Sequence, residues 1–478
     1  MRALRRLRMF APLRHRRYRL LVTGSLISLV GDGVFFVALP LLVYGIANVP
    51  TALALVGAVW TTSQVSLLLV GGWASDRFER RRILIAADIA RALAVGGMGL
   101  LAMSGGVQLW KVCVLGAVVG ASNAFFNPAL SAVVPDLLPD EELAGANSFM
   151  GVAKPLLQRT FGPALGGLAV GLVGPPGALL VNAGTFLASA AFLTRMGPAP
   201  GAAERAAGTA EVAAAGAGAA SAIGRQRLRL TEGLRYVLAN RWAWTWMVAA
   251  ALALTAFTGP VDMLLPFVLL NDMGLDQRQA GLALSLVLAT GGIGSMAAAA
   301  AVGQLDLPRR FLTTMYVVQA FGVAALAVYG LMTAVWQAVA ASFVIGACFA
   351  YADVVWVTVL QRHVPRRLLG RVSGVDWLTA LGLMPLSFAV AGPLAVAFGA
   401  RQVLVGGAAL GTVAILALLL LVPGSRSLEG SSAAAGRPGS MPDPPGAADA
   451  GADSGTLAPP VRASSSARQL PQASDTLG

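Results

Sequence analysis

Twelve apolar stretches recur along this 478-residue sequence, and each is long enough to cross a lipid bilayer as a helix. A helix of about 20 apolar residues spans roughly 30 Å, the thickness of the hydrocarbon core. The composition agrees, because 56% of the residues are hydrophobic and 12% are charged, whereas a soluble domain carries about 25% charged residues. The predicted fold class is therefore an all-α membrane protein with twelve transmembrane helices.

These stretches, numbered here as spans one to twelve, form two sets of six. They run over 20–44, 52–72, 83–103, 109–134, 146–173, 177–193, 246–270, 280–302, 311–332, 335–360, 372–398 and 402–422.

The segments between and around the spans complete the predicted organisation. A basic cytoplasmic N-terminus (1–19) precedes a six-helix bundle (20–195). A linker rich in Ala and Gly, ending in an amphipathic helix suited to a membrane surface, covers 196–243. A second six-helix bundle (244–423) and a tail rich in Pro, Gly, Ser and Ala (424–478) follow, and the tail is predicted to be disordered.

Positive charge is concentrated in alternate loops. Eight arginines precede Leu20 and the turn after span two reads DRFERRR, whereas the opposite loops GIANVPT, SGGVQ and GPPG contain no Lys or Arg. Positive loops stay in the cytoplasm, so we expect a multi-pass protein of the cell (inner, cytoplasmic) membrane with both termini inside. The same asymmetry accounts for the net charge of +13 without a nucleic-acid partner.

The two sets of six repeat each other. Pro40 in ALPLLVY corresponds to Pro266 in LLPFVLL, 226 positions later, and the same offset aligns GASNAFFN (120–127) with GACFAYAD (346–353). One offset shared by distant spans indicates a six-plus-six duplication. Repeats of this kind are typical of secondary transporters, whose sites lie between the halves near the membrane midplane.

The sequence carries no motif for an enzyme. It lacks the Gly-x-x-x-x-Gly-Lys-Ser/Thr, HExxH and CxxC patterns, and its two cysteines, Cys113 and Cys348, both fall inside spans. We therefore expect no catalytic residue, no cofactor and no metal. The expected partners are a small-molecule substrate, protons and the lipid bilayer, and we expect a monomer.

The turn after span two, GGWASDRFERRR, combines a glycine, an Asp-Arg pair and a basic pair, and a faded copy, GQLDLPRR, follows span eight. This turn resembles the signature loop of the major facilitator superfamily. The resemblance implies a cytoplasmic gating loop, although an ordinary basic loop fits too. Glu79 replaces the loop's second glycine and can pair with Arg82. The gating-loop residues are Gly72, Asp76, Arg77, Arg80 and Arg81.

Span five contains FGPALGG, with Gly162, Pro163, Gly166 and Gly167, which is similar to the Gly-Pro signature of the superfamily's antiporters. These residues can serve helix packing, conformational bias or both. The opening stretch and the block DRFERRRILIAADIARAL look most like the exporter branch that contains macrolide-efflux proteins and the enterobactin exporter. Span four lacks the mid-helix arginine of many drug–proton antiporters, so their proton relay does not transfer directly.

Few ionisable residues lie deep in the spans, and these are the candidate site. Asp32 is central in span one, and Asp262 in span seven lies one turn from the position that duplicates it; Asp353 is in span ten. Span five supplies two candidate cationic partners, Lys154 and Arg159. A carboxylate in a membrane is costly and usually functional, so all three acids are proton-coupling candidates.

Three roles stay open for Asp32: proton coupling, a structural ion pair with Arg159, and attraction of a cationic substrate. The glycines on either side of Asp32 are expected to give a neighbouring helix room to approach. Asp376 and the Asp88–Arg91 pair, three residues apart, are interpreted as charges at the membrane interface.

Together these features predict a secondary active transporter that exports a small, largely apolar organic compound by proton antiport and alternating access. The substrate class expected is a drug, a macrolide-like metabolite or a siderophore. A proton-coupled importer and a non-transporting membrane protein that binds a partner are the alternatives.

Overall fold

The computed structural model describes residues 8–197, 232–302 and 310–422, and all regular structure within these ranges is helical. The predicted tail, most of the predicted linker, and Gly303, Asp306 and Arg309 of the faded loop copy lie outside the described residues.

A 3₁₀ helix, Arg8–Arg14, precedes the first span. The first half contains helices Arg16–Ile46, Pro50–Arg77, Arg80–Met103, Leu109–Leu137, Asp140–Pro155 and Gly162–Met196. The second half contains Arg241–Phe267, Gln277–Val302, Phe311–Ala325, Ala327–Leu331, Val335–His363, Arg366–Gly382, Met384–Phe398 and Ala400–Leu421. Span nine and span eleven are thus each built from two consecutive helices.

Eleven helical segments in the described ranges are long and apolar enough to cross a membrane. One of them, Glu141–Met196, has 56 residues and contains both span five and span six. It turns at Gly174, whose φ of 71° and ψ of 171° interrupt the helix inside the predicted GPPG loop. Only glycine adopts such a backbone without strain. This segment therefore accounts for both span five and span six of the predicted twelve.

Two spans contain a π-helical turn. In span five the turn Leu156–Phe161 joins Asp140–Pro155 to Gly162–Met196, and in span seven the turn Val268–Asp272 extends the first helix of the second half. A π turn inserts one extra residue into a helix and is common at functional sites. In span five the turn carries Arg159.

One buried apolar cluster contains residues of both halves. Val37 and Leu41 of span one belong to the same buried cluster as Leu264 and Val268 of span seven. Large apolar side chains are also exposed on the outside of the bundle, such as Leu172, at 81% exposure. An outer apolar surface of this kind fits contact with lipid and explains why the helices are hydrophobic all round.

The ends of the spans define two faces of the bundle. The terminal face contains the first described residue and the chain turns at 78–79 and 364–365; the distal face contains the turns at 47–49 and 273–276. On the distal face the two halves are joined by hydrogen bonds. Asn48 and Asn271 exchange amide hydrogen bonds of 2.5 and 2.9 Å, and the Tyr44 hydroxyl donates to the Met263 carbonyl at 2.5 Å.

A short helix over 232–239 lies on the terminal face of the second half. The Tyr236 hydroxyl donates to the His363 carbonyl at 3.2 Å, and Glu232 forms an ion pair with Arg371. Burial raises the pKa of Tyr236, so the hydroxyl keeps its proton and remains a donor at neutral pH. This helix coincides with the surface helix expected at the end of the linker.

Candidate functional site

Asp32 lies midway along span one between two glycines that contact different neighbouring spans. A Cβ on Gly31 would lie 2.0 Å from Oγ1 of Thr185, in span six. A Cβ on Gly33 would lie 2.5 Å from Cα of Gly162, in span five. The expectation that these glycines admit neighbouring helices is confirmed, and Asp32 is fixed where spans one, five and six meet.

The Gly-Pro signature of span five packs against two other spans. Gly162 and Gly166 lie against span one, since a Cβ on Gly166 would be 3.0 Å from Cα of Val34. Gly167 faces the other half, because its Cβ would be 2.2 Å from Oγ of Ser285 in span eight. The signature therefore joins span one to the interface between the halves, which is the packing role expected of small residues.

The Asp32 side chain is half-buried and lies among three charged residues of its own half. The strongest electrostatic interaction of its carboxylate is with Arg91 of span three, followed by Asp88 and then Lys154 of span five. Lys154 is exposed, although it lies within a span. We call Asp32, Asp88, Arg91 and Lys154 the span-one acid cluster.

Arg159 belongs to the first half but interacts with acids of the second. Its carbonyl lies close to span eight, where a Cβ on Gly292 would be 2.9 Å away. Its charge acts on Asp262 of span seven and on Asp353 of span ten. Among the described residues, no ion pair within 4.0 Å joins Arg159 to Asp32, so Lys154 rather than Arg159 is the span-five cation beside Asp32.

The exposures of these residues differ with depth. Asp262, like Asp32, is half-buried, whereas Asp353, Lys154 and Arg159 are exposed. Asp353 and Lys154 lie in the terminal half of their spans, and Arg159 lies near the middle of span five. The five candidate residues thus form one group that crosses the interface between the halves. Asp376 is also half-buried and interacts electrostatically with Asp353.

The Asp88–Arg91 pair is far more buried than a charge at the membrane interface. Asp88 is fully buried, Arg91 is 3% exposed, and the two side chains form an ion pair within span three. The guanidinium lies between two phenyl rings, 4.0 Å from the ring centre of Phe126 and 4.5 Å from that of Phe186. The spacing of three predicted the pairing correctly, but nothing in the sequence reveals that this face of span three points into the bundle.

The signature loop after span two stabilises the end of the first half. Arg80 donates to the Ala132 carbonyl at 2.8 Å and to Asp136 at 2.6 Å, both in span four. Arg81 donates to carbonyls at the end of span six, and the expected Glu79–Arg82 ion pair is present at 2.7 Å. These contacts join helix ends within one half.

Two other members of the signature loop behave differently. A Cβ on Gly72 would have no neighbour within 4 Å, whereas a Cβ on Gly71 would lie 1.9 Å from the Ala124 carbonyl oxygen. The close approach between spans two and four therefore occurs at Gly71 rather than at the signature residue Gly72. Arg77 lies 5.7 Å from the centre of the Trp73 ring, and the side chain of Asp76 lies outside the described residues.

The described helices form the fold of a multi-pass membrane protein with charged side chains buried among its spans. The family model of the Major Facilitator Superfamily matches residues 21–386. The chain belongs to this superfamily, and it is therefore a transporter rather than an enzyme.

Curated relatives of this chain are drug exporters by name. The multidrug efflux pump Tap of Mycobacterium bovis (strain BCG / Pasteur 1173P2) is 28% identical over 392 residues, which cover 80% of this chain and 87% of the relative. Tap of Mycolicibacterium fortuitum is 29% identical, with 80% and 89% covered. Macrolide efflux protein A of Enterococcus faecalis is 35% identical over 68 residues, 14% of this chain and 21% of the relative.

Solved structures show the same fold at low sequence identity. The nucleoside transporter NupG aligns with a TM-score of 0.62 at 12% identity, covering 84% of this chain and 98% of NupG. A bacterial homolog of the human lysosomal transporter Spinster, in an inward-facing and unoccupied conformation, aligns with a TM-score of 0.62 at 15% identity, with 87% and 97% covered.

Proposed function

We propose that this chain is a secondary transporter that exports small, largely apolar organic compounds by proton antiport, with Asp32 as the principal proton-binding residue. The observation that carries the proposal is the half-buried carboxylate of Asp32, in mid-span among the charges of Arg91, Asp88 and Lys154. A carboxylate held between desolvation and nearby charges can bind or lose a proton as its access to water changes.

Export of a drug-like compound is supported by the relatives, since Tap and macrolide efflux protein A are named as efflux proteins. In the proposed topology the terminal face and both termini are in the cytoplasm of a cell-membrane protein. The exposed Lys154, Arg159 and Asp353 would then meet substrate from the cytoplasm. We further propose that the transporter is a monomer, because each chain has both halves of the fold.

Alternating access requires that the halves change their relative arrangement. The hydrogen bonds between Asn48 and Asn271 and between Tyr44 and Met263 would close the distal face in the arrangement described here. In the opposite arrangement the distal face opens and the substrate leaves. Protonation of Asp32, and of Asp262 across the interface, from the distal side would then bias the return to the arrangement described here, so that a proton enters as substrate leaves.

The signature loop has a supporting role in this cycle. Because Arg80 and Arg81 bond to spans four and six, the loop would keep the first half rigid while it moves against the second. The family resemblance also implies that the loop, including Asp76, forms a latch between the halves, and this role stays a proposal.

The test is Asp32→Asn in purified protein reconstituted in proteoliposomes, with radiolabelled erythromycin and ethidium as probes. We expect loss of transport driven by an imposed proton gradient and retention of counterflow, which exchanges probe for probe without net proton movement. Asp276→Asn is the matched control, because Asp276 is exposed in the distal turn and its side chain bonds the Gln279 amide, and this variant should keep proton-driven transport.

Unchanged proton-driven transport in Asp32→Asn contradicts the assignment of Asp32. Accumulation only when the imposed gradient has the polarity of import would favour the importer. Absence of both counterflow and driven transport for every probe in the wild-type protein would favour a protein that binds a partner without transport.

A further inference from the structure

The ion pair of span three acts on Asp32, and it is the most deeply buried pair of charges among the described residues. Arg91 and Asp88 both lie inside the first half, and breaking a buried pair is strongly destabilising because the remaining charge is left without a partner. Apolar residues could fill the same space at lower cost. A pair this costly to desolvate therefore calls for a role beyond packing.

Arg91 is held rigidly but keeps hydrogen-bonding capacity. One terminal nitrogen donates to Asp88, the other makes a longer contact of 3.4 Å with Asn123 of span four, and the two phenyl rings cover both faces of the guanidinium. Within the described part of the chain, Nε of Arg91 has no hydrogen-bond partner. The guanidinium is thus fixed in place with a donor that remains free.

The contacts of span one place Asp32 at the depth of this guanidinium. Gly24 faces Ser189 of span six, where a Cβ would lie 3.2 Å from Oγ, and Gly31 faces Asn182 and Thr185. Phe186, which covers one face of Arg91, lies between these two contact points. Asp32 follows Gly31 directly, so its carboxylate is level with Arg91, in agreement with Arg91 as the strongest charge acting on it.

We infer that Arg91 is the positioning residue of the proton site: it holds the charge against which Asp32 gains and loses its proton, and Asp88 holds Arg91 in place. This inference rests on the proposed function of Asp32. Among the described residues, the charged groups that act on Asp32 are Arg91 and Asp88 from span three and Lys154 from span five. With all four side chains ionised the span-one acid cluster is neutral.

When the Asp32 carboxylate takes a proton from water, the cluster gains one positive charge and Arg91 stays with Asp88 as its remaining acid partner. When the proton returns to water, the Asp32 carboxylate again attracts the guanidinium. Arg91 itself keeps its charge throughout, because an arginine side chain is not deprotonated in proteins. Arg91 is therefore a positive charge that stays in one place while Asp32 gains and loses its proton. Its contacts couple proton binding at span one to the packing of spans four and six.

The experiment separates this role from a structural one by removing both charges of the pair at once. The double variant Asp88→Asn, Arg91→Gln leaves no unpaired charge, so a purely structural pair would be replaced without loss of coupling. We measure thermal unfolding, probe counterflow, proton-driven transport and the protons released when erythromycin is added to purified protein. Arg91→Lys, which keeps the charge but loses the planar group between the rings, is the conservative companion.

The inference expects the double variant to unfold near the wild-type temperature and to keep counterflow, while proton-driven transport and proton release fall by about tenfold or more. Compared with the double variant, Arg91→Lys should keep more of the proton-driven transport and more of the proton release. Wild-type proton release in the folded double variant overturns the inference. If the double variant does not fold, Arg91→Lys decides: a shifted pH midpoint of proton release supports the inference, because the cation facing Asp32 has moved, and a wild-type pH midpoint in the folded protein overturns it.

The two proposals fail in different ways. Unchanged proton-driven transport in Asp32→Asn removes the proposed function. If Asp32→Asn loses proton-driven transport while the double variant keeps wild-type proton release, only the role of Arg91 is contradicted.

Discussion

Gly33 of span one lies against Gly162 of span five so closely that a methyl group on Gly33 would stand 2.5 Å from the Gly162 Cα. The two atoms nearest to this methyl group, Cα and the carbonyl carbon of Gly162, belong to the backbone and cannot move aside as a flexible side chain would. Spans one and five are thus in direct contact beside Asp32, and they can come this close because neither Gly33 nor Gly162 has a side chain.

Replacement of Gly33 by alanine should therefore destabilise the first half, because one of the two helices has to shift. We expect a loss of about 1–3 kcal/mol in stability, the usual range for overpacking. Thermal unfolding of the purified protein in detergent measures the effect. Gly184→Ala is the control: it lies in a helix with nothing within 4 Å of the added methyl group, and alanine there should be neutral or stabilising. Equal melting temperatures for the two variants would contradict the tight contact.

Arg159→Gln should impair coupling because its charge acts on two acids of the opposite half. We expect proton-driven transport in proteoliposomes to fall by about tenfold. The double variant Arg159→Gln, Asp262→Asn should transport as fast as Arg159→Gln alone, since the two residues act as one unit. Lys111→Gln removes a cation near the distal end of span four and should have little effect. Losses that simply multiply in the double variant would show that Arg159 and Asp262 act independently.

Asn48→Ala should loosen the distal face, because it removes both hydrogen bonds that Asn48 shares with Asn271. Each bond stabilises the closed arrangement by about 0.5–1.5 kcal/mol, so the closed population should decrease. Hydrogen–deuterium exchange at the distal ends of spans one and seven should become faster. Asn240→Ala, which removes a bond to the Tyr236 carbonyl within one half, should leave exchange at these distal ends unchanged. Slow exchange in both variants would mean that other contacts close the face.

Arg80→Ala should destabilise the protein more than Arg82→Ala. Arg80 is only 28% exposed in its ion pair with Asp136 and also bonds the Ala132 carbonyl, whereas Arg82 is 81% exposed in its pair with Glu79. Charged hydrogen bonds of the first kind contribute about 1.5–3 kcal/mol, and exposed pairs contribute about 0–1 kcal/mol. Chemical denaturation of the purified protein compares them. A larger loss for Arg82→Ala would reverse the roles given to the two arginines.

Much of the fold could be predicted because hydropathy marks the spans of a membrane protein and small residues mark where its helices pack closely. The spans follow from the length of the apolar runs, and the close packing around Asp32 follows from its two flanking glycines, Gly31 and Gly33. Gly174 was predictable as a turn because it begins GPPG. These features are local, so a single sequence is enough to find them.

The arrangement of the charges could not be predicted in the same way. Depth along a helix does not tell which face a side chain occupies, so the sequence pattern puts Asp88 and Arg91 at the interface although they are buried. Arg159 lies within the π turn before Gly162, and its charge acts on Asp262 of the opposite half. Pro155 and Pro163, which both lack an N–H donor, are the one hint of this turn in the sequence.

The position of Arg159 has a consequence for the energy of transport. Its backbone is carried by the first half, while the carboxylates that it attracts, those of Asp262 and Asp353, are carried by the second. Any rocking of one half against the other changes these separations and so performs electrostatic work. A proton or a cationic drug that neutralises either carboxylate reduces that work, so the cargo itself lowers the barrier that an empty transporter faces.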